Sequence, residues 1–188
     1  MKRFLLLLLC VASISPSIAG DNDKKVPGPV SKPKINWMTT DEVQVAMNKQ
    51  PRKIYFDMYT DWCGWCKVMD SATFTSPEVI EYFNKNFYAV KFNAERRDSI
   101  RFVGQMWGFV PEYKAHMLAI QLMRGQMSYP TSVILDEQFQ NPMAFPGFLN
   151  VANMERFLKF TNENHYKTVP FDTFNVRFTP VWKPGPRG

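Results

Sequence analysis

Residues 53–59, Lys-Ile-Tyr-Phe-Asp-Met-Tyr, form an almost unbroken apolar and aromatic run bounded by polar residues. That pattern predicts a strand covered on both faces. Residues 87–93 and 131–135 have the same character, a shorter run at 142–145 predicts a last strand, and 35–38 predicts a short first one. Between them the apolar period lengthens. Val43, Ala46 and Met47 share one helical face behind a Thr39–Glu42 capping-box signature, and Pro51 limits that helix. Ser76-Pro77-Glu78 is a second start signal, with Ser as cap and Pro in the first turn, ahead of Val79, Ile80, Tyr82 and Phe83. A closing helix over 150–162 offers Val151, Met154, Phe157, Leu158 and Phe160 for burial. Strands alternating with helices in this order make an α/β sandwich.

Two stretches fit the alternation less well. Residues 94–127 hold Phe102, Met106, Trp107, Phe109, Val110 and Tyr113 around Gly104, Gly108 and Pro111. They read as an inserted lobe packed beside the two cysteines that follow the strand at 53–59, then a helix from about 114 to 123 that ends at Gly125. Residues 168–188 are rich in proline and aromatics, too polar and proline-rich for a helix, and are expected to drape over the domain or dock on a partner.

The chain start changes the composition. Met1-Lys2-Arg3 and the apolar run 4–12 match a secretory signal, with Ser17-Ile18-Ala19 supplying the small residues a signal peptidase reads, so 1–19 is expected to be removed. The apolar run is too short for a stable membrane span. A lipoprotein anchored through Cys10 is the alternative, but Leu9 is a poor residue before such a cysteine. Residues 20–33 read as a flexible linker, 34–167 as the folded domain and 168–188 as its tail. Losing Lys2 and Arg3 takes the formal charge from +6 to +4, a mild excess with no stripe suited to nucleic acid.

Without Cys10 the mature chain keeps only Cys63 and Cys66, separated by Gly64 and Trp65 directly after the strand at 53–59. Two cysteines in C-x-x-C spacing form a redox pair and no disulfide framework. A helix starting at Cys63 places the first sulfur among unpaired N–H groups, where the pKa of a thiol falls from about 8.5 to about 7 or below. The thiolate attacks a disulfide; Cys66, deeper by one turn, then displaces the product by closing the ring. A buried Cys66 needs a base, and Asp57 arrives on the adjacent strand.

Further residues carry a resemblance to the thioredoxin superfamily, over roughly residues 34–165. Asp57 lies six residues before the first cysteine, Trp62 directly precedes it, Lys91 sits in the next strand, and Ser128-Tyr129-Pro130-Thr131 precedes an apolar strand. The resemblance implies a thioredoxin-like fold, a central mixed β-sheet flanked by helices, with 94–127 as an insertion before a cis-proline loop. It implies that Asp57 acts through a water as base for Cys66, that Lys91 pairs with Asp57, and that Pro130 is cis and faces the sulfurs. Tyr129 would present its backbone to an extended client segment, and Trp62 and Trp65 an apolar rim, although Trp62 is also a candidate for partial burial. Two departures from the family pattern affect specificity and potential. Tyr129 stands where many members have Ile, Val or Thr, and Gly64-Trp65 replaces the commonest Gly-Pro.

Zinc is a rival use of C-x-x-C, but four ligands are needed and only His116 and His165, both expected on helix surfaces, remain. No metal and no cofactor beyond the Cys63–Cys66 pair is expected. The expected function is a secreted or periplasmic thiol–disulfide oxidoreductase that reduces client disulfides and is recharged by a thiol donor, with a membrane reductase as the candidate. A disulfide oxidase or isomerase is the alternative enzyme, and a non-catalytic thioredoxin-like binding module the alternative outside catalysis. No nucleic-acid partner is expected, and the oligomeric state is left open.

Overall fold

The computed structural model describes residues 33–184. The signal at 1–19, the Cys10 anchor and all of the linker except Pro33 therefore lie outside the described residues. Among those described, no helix is long and apolar enough to cross a membrane.

In chain order the elements are β1 (Trp37–Met38), α1 (Thr40–Lys49), β2 (Lys53–Tyr59), α2 (Gly64–Ala72), α3 (Pro77–Asn86) and β3 (Phe87–Asn93). The inserted region follows as β4 (Ile100–Phe102), β5 (Gln105–Trp107), β6 (Phe109–Val110), a 3-10 turn at Pro111–Tyr113, β7 (Ala115–His116) and α4 (Met117–Leu122). The chain then closes with β8 (Thr131–Leu135), β9 (Met143–Pro146), α5 (Val151–Asn162), a 3-10 turn at His165–Lys167 and α6 (Phe171–Arg177). A five-stranded sheet runs β1-β3-β2-β8-β9, with β2 parallel to β3 and antiparallel to β8. This is the mixed sheet of a thioredoxin fold.

The two-residue period of β2 divides the core. Ile54, Phe56 and Met58 face one side, with Val43 and Met47 of α1 and Leu118, Ala119 and Leu122 of α4. Tyr55 faces the other, with Met69 of α2, Val79, Ile80 and Phe83 of α3, and Met154, Phe157 and Leu158 of α5. Asp57, two residues after Tyr55, shares the α2 face. The capping box of α1 forms as its sequence predicts: Thr39 Oγ1 accepts the Glu42 N–H at 3.2 Å, and Glu42 Oε2 accepts the Thr39 N–H at 2.7 Å. At α3, Pro77 opens the helix as expected, but the Ser76 hydroxyl donates to Glu78 Oε2 at 2.8 Å and caps no backbone N–H.

Three expectations need correction. No helix runs from 114: Lys114 is left-handed (φ 49°), Ala115 and His116 pair with Val110 and Phe109, and the His116 N–H donates to the Ala94 carbonyl at 2.7 Å. The backbone groups a helix would need are already engaged, so α4 begins at Met117, with His116 Nδ1 accepting the Leu118 N–H at 3.3 Å. His116 is accordingly fully buried rather than on a helix surface. The inserted region also divides. The β4–β5 hairpin turns toward α1, where Gln44 bonds the Arg101 carbonyl and the Val103 N–H, and Phe102 packs on Phe56 and Phe139. Only the Phe109–His116 part returns toward the end of β3.

The third correction is the tail, part of which is helical. Phe171 of α6 packs on Phe145 and Phe160, and buried Phe174 on Phe160. Those contacts stabilise a short helix that intrinsic propensity would not. Beyond α6 the chain does drape over the domain. Buried Glu155 accepts the N–H groups of Val181 and Trp182 at 2.7 and 2.8 Å, and the Trp182 ring lies 5.1 Å from that of Tyr82.

Candidate functional site

The site forms where β2 turns into α2. The Cys63 N–H donates to the Thr60 carbonyl at 3.2 Å, closing a tight turn that brings Cys63 to the N-cap of α2. Cys63 Sγ accepts the Cys66 N–H at 3.1 Å, so the sulfur takes the place of a capping oxygen and satisfies one free donor of the first turn. Cys63 and Cys66 are joined as a disulfide with S–S 2.06 Å. The expected difference in depth is absent in this closed ring: Cys63 is 4% and Cys66 3% exposed.

A charged cluster in an apolar setting joins β2, β3 and α2. Parallel pairing puts Asp57 in register with Lys91, on the same face of the sheet, and Lys91 Nζ reaches Asp57 Oδ2 at 2.7 Å. Lys91 also binds Asp70 Oδ1 from α2. Its ammonium lies 5.1–5.5 Å from the ring centroids of Trp37, Tyr59 and Phe74, an aromatic cage for the cation. Sequence reading missed Asp70. Its position on α2 is local to the cysteines, but its contact with Lys91 follows from the packing of α2 on the sheet.

Asp57 is 1% exposed, and its Oδ1 is buried with no hydrogen-bond partner among the described residues. Burial pushes its carboxyl up to about 6; the Lys91 charge and hydrogen bond pull the other way, and Asp70 adds to the rise. Burial alone would lower the Lys91 ammonium, but Asp57 and Asp70 together hold it above its ordinary value. The cluster thus keeps a lysine charged and gives a buried carboxylate a proton affinity close to neutrality, with one oxygen free for proton transfer.

The Tyr129–Pro130 peptide, which shares a groove with Trp65, is cis, as expected. The Tyr129 ring meets Trp62 edge-on at 5.8 Å, and burial followed by the nearby Glu95 charge pushes its phenol up to about 12, so it stays neutral. Trp62 is 67% exposed, which rules out the partial burial considered from sequence, and its Nε1–H donates to Glu95 Oε1 at 3.0 Å. Trp65 is 62% exposed and lies 5.5 Å from Phe148. An open groove of about 300 Å³ runs between Trp65, Tyr129, Pro130, Gly147 and Phe148. Phe148 and Glu95 were not foreseen; both lie in loops, where burial periodicity carries no signal.

His165 lies against Phe174 at 4.8 Å, in the C-terminal part of the fold. Among the described residues no three metal-ligating side chains converge. All eight expected site residues are described. Asp57 and Lys91 meet at one face of the sheet, and Trp62, Trp65, Tyr129 and Pro130 surround the disulfide loop.

Comparison with known proteins agrees with this fold. A family model described as Thioredox_DsbH, protein of unknown function (DUF255), matches residues 29–163. The thiol:disulfide interchange protein DsbD of Haemophilus influenzae strain 86-028NP is 29% identical over 135 residues, 70% of this chain and 20% of that protein. The chain thus spans about a fifth of the length of that curated relative. Among solved structures, a thioredoxin-fold protein from Helicobacter pylori superposes with TM-score 0.52 at 14% identity, covering 68% of this chain and 79% of that one. A DsbH oxidoreductase superposes with TM-score 0.51, also at 14% identity, over 77% of this chain and 95% of that one. At such identity the two superpositions establish the fold.

Proposed function

This chain belongs to the Thioredox_DsbH family, and from that premise we propose that it is a thiol–disulfide oxidoreductase of the cell envelope, reducing client disulfides through Cys63 and Cys66. The observation that carries the reading is the Cys63–Cys66 disulfide at the N-cap of α2, together with a buried Asp57 on β2, the strand that leads into it, with one oxygen unpartnered among the described residues. A structural ion pair has no need of such an orphan, because each buried unsatisfied oxygen costs stability.

In the reduced protein the Cys63 thiolate, stabilised by the first-turn N–H groups of α2, attacks one sulfur of a client disulfide and forms a mixed disulfide. The other client sulfur leaves as a thiol. Asp57 Oδ1 takes the proton from Cys66, through a water, and the Cys66 thiolate attacks Cys63 Sγ. The second client thiol departs and the ring closes; two electrons have passed to the client. Lys91 holds the Asp57 charge and Asp70 holds Lys91. Trp62, Trp65 and Tyr129 seat the client segment, with Pro130 placing no N–H against the sulfurs. No metal or further cofactor takes part.

The signal-like start of the chain supports an envelope location, and the interchange-protein relative supports thiol–disulfide exchange. In that compartment the oxidised ring needs a thiol donor to recharge it, and a membrane reductase is the natural class.

Reduction of insulin with dithiothreitol tests the reading: the wild type should exceed background and Cys63→Ser should not. An equal rate in both would leave a binding module. A reduction potential near about −270 mV fits a reductase, and one near about −120 mV would reverse the direction. Cys66→Ala should accumulate mixed disulfides that identify the clients.

A further inference from the structure

A second cleft, about 530 Å³ and open to solvent, lies between the active-site turn and the inserted residues, with Asp61, Glu95, Arg97, Phe109 and Lys114 in its lining. That size suits a small molecule. Asp61 is two residues before Cys63, and Glu95 holds the indole of Trp62, so the cleft abuts the residue that flanks the outer sulfur. Both signs of charge line it. The Arg97 guanidinium lies 4.7 Å from the Phe109 ring centroid, a contact that leaves its N–H edges available. Among the described residues, Arg97, Lys114 and Asp61 form no ion pair. Lys114 is carried by the left-handed residue that ends the 3-10 turn of the inserted region.

An interior segment of a client protein has neither a free α-amine nor a free α-carboxylate. A disulfide of a small peptide-type thiol has both, within one residue of the cysteine that carries its sulfur. We propose that this cleft binds one half of such a small zwitterionic disulfide and presents its S–S bond to Cys63, making low-molecular-weight disulfides a second substrate class. Arg97 and Lys114 take the carboxylates and Asp61 takes the ammonium. The proposal rests on the redox reading of Cys63 and Cys66 given above. The reduced Cys63 thiolate attacks one sulfur of the small disulfide, whose S–S bond breaks and releases one half as a thiol after protonation. Cys66 then displaces the second half as a thiol and closes the ring. Two electrons pass from the protein dithiol, which a dithiol donor restores.

The test uses the full chain with dithiothreitol as donor and compares kcat/KM for oxidised glutathione with that for bis(2-hydroxyethyl) disulfide, which lacks charged ends. The wild type should favour oxidised glutathione after correction for each uncatalysed rate. The Arg97→Gln/Lys114→Gln double variant should reduce that preference about tenfold, mainly through KM, as expected when charge-assisted contacts to carboxylates are lost. Arg97→Lys with Lys114 intact should keep most of it. The preference is a ratio within one protein sample, so partial unfolding of a variant cancels. An absent preference in the wild type, or an unchanged one in the double variant, overturns the cleft assignment while leaving the redox reading intact. Turnover of neither disulfide by the wild type overturns both.

Discussion

Asp57 carries the sharpest residue-scale consequence. Its folded-state pKa, pushed up to about 6 by burial, lies above the ordinary 3.8, so the native state holds more protons than the unfolded chain between those values. Stability therefore falls as pH rises through that window and stays reduced above it. Asp57→Asn should raise stability at pH 7 by about 3 kcal/mol, and the difference should vanish below about pH 4. Urea titrations at several pH values measure it. The same substitution should slow closure of the Cys63–Cys66 ring on a mixed disulfide and remove the inflection near pH 6 from its rate profile. A rate that keeps its inflection would transfer the proton to another group. Cys63, Cys66 and Asp57 were readable in the chain because they follow one another across a single strand and turn, whereas Lys91 was implied by the resemblance to the thioredoxin superfamily. Asp70 was read from neither, since only the packing of α2 on the sheet shows that it shares Lys91 with Asp57.

At the scale of elements, capping and periodicity foretold α1, α3 and α5 closely. Thr39, Pro77 and Asn150 open them, and Asn150 Oδ1 accepts the Asn153 N–H at 2.9 Å. The pattern failed where a short element borrows its stability from elsewhere. α6 has seven residues and depends on aromatic contacts with α5 and β9. The strap beyond it depends on Glu155, which is fully buried, accepts two backbone N–H groups through Oε2 and meets Lys159 at 2.9 Å through Oε1. Glu155→Ala leaves those donors without their acceptor and should cost about 2–4 kcal/mol. Hydrogen exchange at Val181 and Trp182 should accelerate by more than at the centre of β2. Equal acceleration everywhere would mean that the strap unfolds only with the domain.

For the whole molecule, the groove proposed to seat a client is assembled from distant parts of the chain: Trp62 and Trp65 at the start of α2, Tyr129 and Pro130 before β8, and Gly147 and Phe148 after β9. Exposed indoles there contribute little to folding and much to an interface. Trp62→Ala and Trp65→Ala should each weaken capture of an extended client peptide, in a Cys66→Ala background, by about 1–3 kcal/mol, while thermal midpoints move by no more than a few degrees. Unchanged capture would show that clients approach from another side. The inserted region divides across this plan. Its hairpin covers the α1 face through Phe102, and its second half lines the charged cleft beside Asp61.

Resemblance to the thioredoxin superfamily supplied the lysine and the proline; the chain's own patterns determined the α/β alternation, the redox pair at a helix start and the acid on the strand before it. Those features depend on short-range rules: a two-residue period in strands, capping chemistry, and fixed spacing across one turn. Tertiary structure alone decided which residues meet from separate elements. The sharing of Lys91 by Asp57 and Asp70, the burial of His116 at the start of α4, the helix in the tail and the cleft lined by Arg97 and Lys114 all arise from packing between distant segments. No local pattern encodes them, because each is stabilised by groups that sequence separation conceals.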